Sequence, residues 1–255
     1  MPTDPKTIKA YDDYAARWAN RLDEKENLAH EYLEKPAMYA KLPDLKGKDV
    51  LCLGCGAGQE CLQLAGRGAR VIGTDISSGL IDLAKQKYPH LDFRVMDMEK
   101  LDFPDDAFDY VYSSLVMHYV KNWGKTLHEV YRVLKNNGTF LFSTHHPVRW
   151  GMESIKDEDK HVNQLSYIKH KSGKAEIHGD YLNTRKVNDL WFGDFQVTYY
   201  HKPLSEIMKE IREAGFEIVD FLEPKATEGA KKLKPSFYEI HQKIPMFMIF
   251  ELKKS

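Results

Sequence analysis

Three glycines and two aspartates are the first residues whose types and spacing could do chemistry. Gly54, Gly56 and Gly58 follow the apolar run Val50-Leu51-Cys52-Leu53 in VLCLGCGAGQ. Asp75 closes the run Arg70-Val71-Ile72-Gly73-Thr74, and Asp97 closes Phe93-Arg94-Val95-Met96. A glycine loop after a buried strand lets a ligand come close to the backbone, because no Cβ stands in the way. A helix over 59–65 then aims its first N–H groups at the same spot. The dinucleotide fingerprint G-x-G-x-x-G needs a third glycine where Gln59 stands, and the phosphate loop ending in Gly-Lys-Ser/Thr is absent. A carboxylate at Asp75 can accept from both hydroxyls of a ribose. One at Asp97 can accept from the amino group of an adenine. This pattern suits a ligand with one ribose, one adenine and no phosphate, and it disfavours a nicotinamide dehydrogenase.

The elements that must position these residues alternate between strand and helix. Strands are expected at 50–53, 70–74, 92–96, 108–113 and 139–143, with helices at 59–65, 79–88 and about 123–135 between them. Ser77 and Ser78 can cap the second helix, and Asn137-Gly138 is expected to end the third. Short βαβ units predict a parallel sheet with right-handed crossovers. Leu204, Ile207, Met208 and Ile211 mark a further helix closed by Gly215, before two last strands at 216–221 and 246–252. Residues 7–34 read as a polar helix with Tyr11, Tyr14, Trp18 and Leu22 in a stripe, ended by Pro36 and Pro43. It reads either as a helix laid on the domain surface or as a lid whose tyrosines and Arg17 face the ligand.

The bulk numbers bound the class. The chain has 255 residues, 42% of them hydrophobic, enough for one large α/β core rather than two. A formal net charge of −1 gives no global field toward nucleic acid or an anionic membrane. No apolar run reaches the ~18 residues of a membrane span, and the N-terminus lacks a signal-peptide core. The three cysteines, Cys52, Cys55 and Cys61, make no disulfide framework and fit a reducing cytoplasm. Cys52-x-x-Cys55 reads as packing, since one cysteine lies in the strand and the other in the glycine loop. Asp105-Asp106 reads as a solvated turn, and no metal site is expected.

VLCLGCGAGQE, GTDIS, MDMEKLDFPDDAFDYVYSSLVMHYV and VLKNNGTFLFSTHHP, in that order, resemble the class I S-adenosylmethionine-dependent methyltransferases. The resemblance is to the small-molecule branch that includes the ubiquinone/menaquinone-type C-methyltransferases. It runs over about 48–147 and returns at 201–224. It implies a Rossmann-like, doubly wound sheet of seven strands, mostly parallel with an antiparallel last strand, in one domain. Residues 1–46 would be an N-terminal helical lid, 47–147 the cofactor core, 148–202 an insertion after strand five, and 203–255 the closing helix and strands. The implied cofactor is S-adenosylmethionine, leaving as S-adenosylhomocysteine. It would lie against Tyr14 of the lid and against Gly54, Cys55, Gly56 and Gly58 of the loop. It would also meet Asp75, Ile76 and Ser77 at the second strand end, Asp97 and Met98 at the third, and Ser113, Ser114 and His118 at the fourth.

Methyl transfer from a sulfonium is an in-line displacement with a neutral leaving group, so alignment and water exclusion do most of the work. A base is needed only if the acceptor must lose a proton. His118 follows strand four, His145 and His146 follow strand five, and His201 precedes the last helix. His145 and His146 are the candidate bases, by position and by their neighbour Trp150. The stretch 148–200 is long for a connection and carries Tyr167, Phe192, Phe195 and Tyr199 besides Trp150, Tyr181, Trp191 and Tyr200. It is expected to cover the substrate with a small antiparallel addition, Trp150, Tyr181, Trp191, Tyr200 and His201 meeting the acceptor. The alternative is a dimer surface or a plain packed flap.

The reading is therefore a methyltransferase acting on O, N or C of a small molecule. Two alternatives stay open: an RNA methyltransferase of the wobble-uridine type, supported only by Lys225, Lys231, Lys232 and Lys234, and a non-catalytic protein that binds the same cofactor. The composition argues against nucleic acid and membrane partners. It leaves monomer and homodimer open.

Overall fold

A computed structural model describes residues 3–23, 27–191 and 194–255, so Phe192 lies outside the described residues. The N-terminal helices are α1 (Pro5–Asp13) and α2 (Ala15–Asp23), followed by a π-helical turn at His30–Glu34 and by α3 (Lys35–Ala40). The core then alternates as expected: β1 (Asp49–Leu53), α4 (Gln59–Gly66), β2 (Arg70–Asp75), α5 (Ser78–Lys87), β3 (Asp92–Val95), β4 (Phe108–Ser113), α6 (Trp123–Val133) and β5 (Leu134–His145). A short helix α7 (Pro147–Gly151) leads into six short strands: β6 (Glu153–Lys156), β7 (His161–Gln164), β8 (Ser166–Lys169), β9 (Ala175–His178), β10 (Arg185–Trp191) and β11 (Phe195–His201). The chain closes with α8 (Leu204–Glu213), β12 (Phe216–Leu222), α9 (Glu228–Leu233), α10 (Pro235–His241) and β13 (Phe247–Lys254).

Seven strands form one sheet in the order β12-β13-β5-β4-β1-β2-β3. β1 to β5 pair in parallel, while β13 runs antiparallel to both β5 and β12. Strand order reverses between β1 and β4, and a doubly wound sheet opens its ligand crevice at that point, beyond the carboxyl ends of the strands. β1 is apolar throughout because both of its faces are covered. Leu51 and Leu53 pack with Phe142, Trp123 and Leu127 on one face, while Val50 and Cys52 pack with Leu64, Ile81 and Tyr112 on the other. Each such fully buried leucine contributes about 2 kcal/mol of transfer free energy. Cys52, Cys55 and Cys61 are buried and free, and a Cβ on Gly73 would stand 2.8 Å from Cys61 Sγ and 2.9 Å from Cys55 Sγ. Among the described residues no cluster of His, Cys, Asp and Glu could hold a metal ion, and no helix is long and apolar enough to cross a membrane.

Two expectations are corrected. Pro36 does not end the N-terminal segment. It has no N–H to give to the carbonyl of Tyr32, and that carbonyl accepts from Thr227 N instead, at 2.8 Å. The backbone absorbs the change by widening: Lys35 N donates to His30 O, and the helix continues as α3. Asn137-Gly138 does not cap α6 either. The helix stops at Val133, and β5 begins at Leu134. Asn137, at φ +63, falls where the β4–β5 register shifts between the Phe108–Leu134 and Tyr110–Thr139 pairs, so it kinks a strand rather than turning a helix.

The stretch after β5 holds three separate two-stranded antiparallel ribbons, β6–β7, β8–β9 and β10–β11. β11 turns Phe195, Val197 and Tyr199 inward against Tyr11, Tyr14 and Trp18 of the N-terminal helices. Thr198 N donates to Thr7 Oγ1 at 2.8 Å, which ties the ribbon to α1.

Candidate functional site

A cavity of about 570 Å³ opens at the sheet's carboxyl edge, between the ends of β1, β2 and β4 and beneath α1 and α2. Its floor is the glycine loop. Gly54 has φ +69 and lies so close to Val116 that a Cβ would stand 2.4 Å from Val116 Cγ2. Gly56 has φ +53 and a Cβ there would meet nothing within 4 Å, so the loop leaves open space on the cavity side.

Asp75 ends β2 and faces the cavity. Its Oδ2 accepts from Gly56 N and its Oδ1 from Ser77 N, both at 2.9 Å. Each oxygen keeps a lone-pair direction for a ligand hydroxyl. Burial pushes this carboxyl up, and the backbone hydrogen bonds from Ser77, Gly56 and Ile76 oppose it. Ile76 and Ser77 share the wall. Ser77 Oγ accepts from Leu80 N at 3.2 Å, so it caps α5, and it donates to Asp12 Oδ1 at 2.6 Å.

At the third strand end Met96 and Met98 line the cavity. Asp97, between them, is not on the wall, and its Oδ1 accepts from Glu99 N at 2.9 Å. At the fourth, Ser113 is buried within β4 and Ser114 reaches the wall. The Ser114 hydroxyl donates to Glu34 Oε1 at 2.9 Å. Leu115 follows with φ +54, uncommon for a branched side chain, and its N–H donates to Ser143 Oγ at 3.0 Å.

The far wall is a stack of rings. His118 and His145 lie face to face with centroids 3.4 Å apart, and Trp150 covers the other side of His145 at 3.6 Å. Burial drives His118 down to about 3 and pushes His145 well below the ordinary histidine range, the charges of His118 and Arg149 adding to it. Both rings are therefore neutral at pH 7.

The structure thus brings together around one cavity Gly54, Cys55, Gly56, Asp75, Ile76, Ser77, Met98, Ser114, His118, His145, Trp150 and Trp191. The other expected site residues lie off it. Gly58 is the left-handed residue that starts α4. Tyr14 donates to Asp194 Oδ2 at 2.8 Å, and Arg17 pairs with the same carboxylate at 3.1 Å on the surface; Tyr11, Trp18, Arg21 and Leu22 face the cavity in their place. His146 caps α7 through Nδ1 and stands 2.8 Å from Glu223 through Nε2. His201 Nε2 bonds the carbonyl of Tyr181 at 2.9 Å, and Tyr200 and His201 face a small void behind the histidine stack. Sequence reasoning missed His30, Glu60, Leu115, Phe237, Met246 and Phe247, which also line the cavity, and Asp12 and Glu34 behind it. A histidine and a glutamate four residues apart on a half-apolar helix were a readable signal for the His30–Glu34 pair. The others depend on which distant segments fold together.

A family profile described as a methyltransferase domain matches residues 51–142. An uncharacterised protein of Haemophilus influenzae is 34% identical over 210 residues, covering 76% of this chain and 77% of that one. The malonyl-[acyl-carrier protein] O-methyltransferase of Serratia marcescens is 36% identical over 98 residues, a match that spans only 38% of either chain. The crystal structure of an S-adenosylmethionine-dependent methyltransferase from Mesorhizobium loti superposes with a TM-score of 0.70 at 27% identity, over 86% of this chain and 96% of that one. With its seven-stranded sheet, its glycine loop and the wall carboxylate of Asp75, the chain belongs to the S-adenosylmethionine-dependent methyltransferases.

Proposed function

We propose that the chain methylates an O, N or C atom of a small molecule with an apolar body, and that Asp75 holds the ribose of its cofactor. One observation carries the second part: a half-buried carboxylate, already fixed by one backbone N–H on each oxygen, faces the cavity at the second strand end. The residues present fit the cofactor, because Gly56 leaves the loop open where a Cβ would fill it. When bound, S-adenosylmethionine supplies an activated methyl group. This chain's own residues bind, orient and exclude water. Ile76, Met96 and Met98 offer an apolar slot for an adenine beside Asp97, and Gly54, Cys55, Gly56 and Ser114 border the inner end. Tyr11 and Trp18 cover the cavity from above, and the Tyr11 hydroxyl lies 2.6 Å from that of Tyr119.

The acceptor half would be the lobe where Trp150, Phe237, Met246 and Phe247 pack together, with Trp191 also on the cavity wall. Such a lining suits an apolar body. Of the two candidate bases, His145 is the one on the wall. A neutral imidazole there can accept a hydrogen bond from an acceptor hydroxyl or amine, although its depressed pKa makes it a weak base. The likeness to a malonyl-[acyl-carrier protein] O-methyltransferase supports an oxygen acceptor. The motif resemblance to ubiquinone/menaquinone-type enzymes supports a carbon one. Of the four lysines behind the RNA alternative, Lys234 lines the cavity while Lys225, Lys231 and Lys232 lie off it, so they form no basic surface around it, which favours a small molecule over RNA.

Calorimetry with S-adenosylhomocysteine tests the ribose assignment. Asp75→Ala is expected to weaken binding by about 1–3 kcal/mol, the size of hydrogen bonds to a charged group. Unchanged affinity would remove Asp75 from the site. A radiolabelled methyl donor, screened against quinol, thioester, amine and carboxylate classes, then identifies the acceptor.

A further inference from the structure

A second group of titratable side chains, besides Asp75, borders the cavity. Glu60 lies in the first turn of α4, directly after the glycine loop. It is 8% exposed, lines the cavity, and its Oε1 accepts no hydrogen bond. Glu34 is fully buried just behind. Its Oε1 accepts from Ser143 Oγ at 2.5 Å and from Ser114 Oγ at 2.9 Å, but its Oε2 accepts none. Both orphan oxygens converge on one nitrogen: His30 Nε2 stands 3.4 Å from Glu34 Oε2 and 3.5 Å from Glu60 Oε1. His30 also lines the cavity, and its Nδ1 has no hydrogen-bond partner. Lys35, one of the cations near this group, is engaged by Glu31 at 2.8 Å.

One imidazole can balance at most one of these two carboxylates. Burial pushes the Glu34 carboxyl up, against the pull of His30 and the two serines, and the charge of Glu60 adds to the rise. Such a cluster costs stability unless something cationic completes it. The backbone is also irregular where it delivers two of the three groups. His30 and Glu34 sit on the π-helical turn, pinned by Lys35 N to His30 O on one side and by Thr227 N to Tyr32 O on the other. Turns of this kind recur at functional sites.

We infer that Glu60 and Glu34, with His30 between them, form a counter-charge site for a primary ammonium group, and that the amino-acid end of the methyl donor binds there. This rests on the cofactor reading above. An ammonium brings three N–H donors, and this end of the wall offers the Glu60 carboxylate, the Ser114 hydroxyl and the loop carbonyls. The adenosine end is left to Asp75, so the two ends of the cofactor are held by separate acids.

Two ligands separate these ends. S-adenosylhomocysteine carries the ammonium, and 5′-methylthioadenosine keeps the adenosine and the thioether without it. By calorimetry, Glu60→Gln is expected to weaken S-adenosylhomocysteine roughly ten- to a hundredfold while moving 5′-methylthioadenosine less than about twofold. Glu34→Gln, which keeps an oxygen for both serines, is expected to do the same more weakly. Asp75→Ala should weaken both ligands. Unchanged S-adenosylhomocysteine affinity in both glutamine variants overturns the ammonium site and leaves the cofactor reading standing. Parallel loss of both ligands in both variants also overturns it, since the cluster would then be scaffold. A wild-type chain that binds neither ligand overturns the cofactor reading and this inference with it.

Discussion

Asp12 of the first helix caps α5 together with Ser77: Asp12 Oδ1 accepts from Ser77 Oγ at 2.6 Å and from Gly79 N at 2.9 Å. The fit is close, since a Cβ on Gly79 would stand 2.9 Å from Asp12 O. The N-terminal helices are thereby fastened to the same turn that carries Asp75. Whatever binds at the second strand end is covered through this contact, and releasing α1 would open the cavity beside Tyr11 and Trp18.

Asp12→Ala is therefore expected to loosen α1 by about 1–2 kcal/mol, the usual cost of a lost helix-capping carboxylate. Limited proteolysis should cut the N-terminal segment faster, and S-adenosylhomocysteine should bind roughly five- to thirtyfold more weakly. Asp13→Ala is the control. Among the described residues Asp13 pairs with Lys9, both partners more than half exposed, and such pairs contribute little. Equal proteolysis of the two variants would show that the Asp12 contact does not hold the helix down.

Gly54 and Gly56 should fail in different ways. An alanine at 54 must adopt φ +69 and push its methyl into Val116 Cγ2, 2.4 Å away. Left-handed strain and overpacking together predict a loss of about 2–4 kcal/mol in urea unfolding. An alanine at 56 carries the strain of φ +53 but meets no neighbour within 4 Å, so about 1 kcal/mol is expected. Its methyl would enter the space the cavity leaves open. Gly56→Ala should therefore lose ligand affinity out of proportion to stability, and Gly54→Ala the reverse. Equal losses of both kinds in both variants would mean that the loop does not face the ligand.

Much of this was readable before any coordinates, for a physical reason. The central strand β1 is buried on both faces, so it appears as an unbroken apolar run, and β1 and β2 are followed or closed by Gly54 and Asp75. Phe108–Ser113 was expected as a strand and is one, residue for residue. The tips that carry Gly54 and Asp75 followed from it. Asn137-Gly138 misled because the same dipeptide serves a helix cap and a kinked strand, and only the partner strand β4 decides between them. Pro36 misled because the acceptor that rescues Tyr32 O lies near the far end of the chain, at Thr227.

The walls of the cavity were less legible than its floor. The stripe Tyr11, Tyr14, Trp18 was visible, but Tyr14 turns to Asp194 while its neighbours face inward, because the helix breaks between α1 and α2. Phe237, Met246 and Phe247 arrive from the C-terminal segment and carry no local pattern that would mark them. The convergence of Glu60 and Glu34 on His30 joins α4 to the turn His30–Glu34 on the far side of β1 in the sequence, which no spacing rule reaches.

The histidine stack makes the last prediction, and its sign can be worked out. His118 is 2% exposed, and burial holds it near 3, against about 6.5 in an unfolded chain. A folded value below the unfolded one means that the unfolded chain binds more protons between the two. The stabilisation is complete above about pH 6.5 and is lost as pH falls toward 3, by up to about 1.4 kcal/mol per unit for one group. His118→Phe keeps the ring against His145 but cannot titrate. Glu34 and Asp75, whose carboxyls are pushed up, act with the opposite sign, yet they are common to both proteins and cancel in the comparison. Urea unfolding at pH 7.5, 6.5 and 5.5 should show parallel behaviour over the upper step. Over the lower step the wild type should lose about 1 kcal/mol more than the variant. Curves that stay parallel down to pH 5.5 would mean that His118 is charged, or free to charge, in the folded protein, and the neutral platform behind the acceptor lobe would then have to be abandoned.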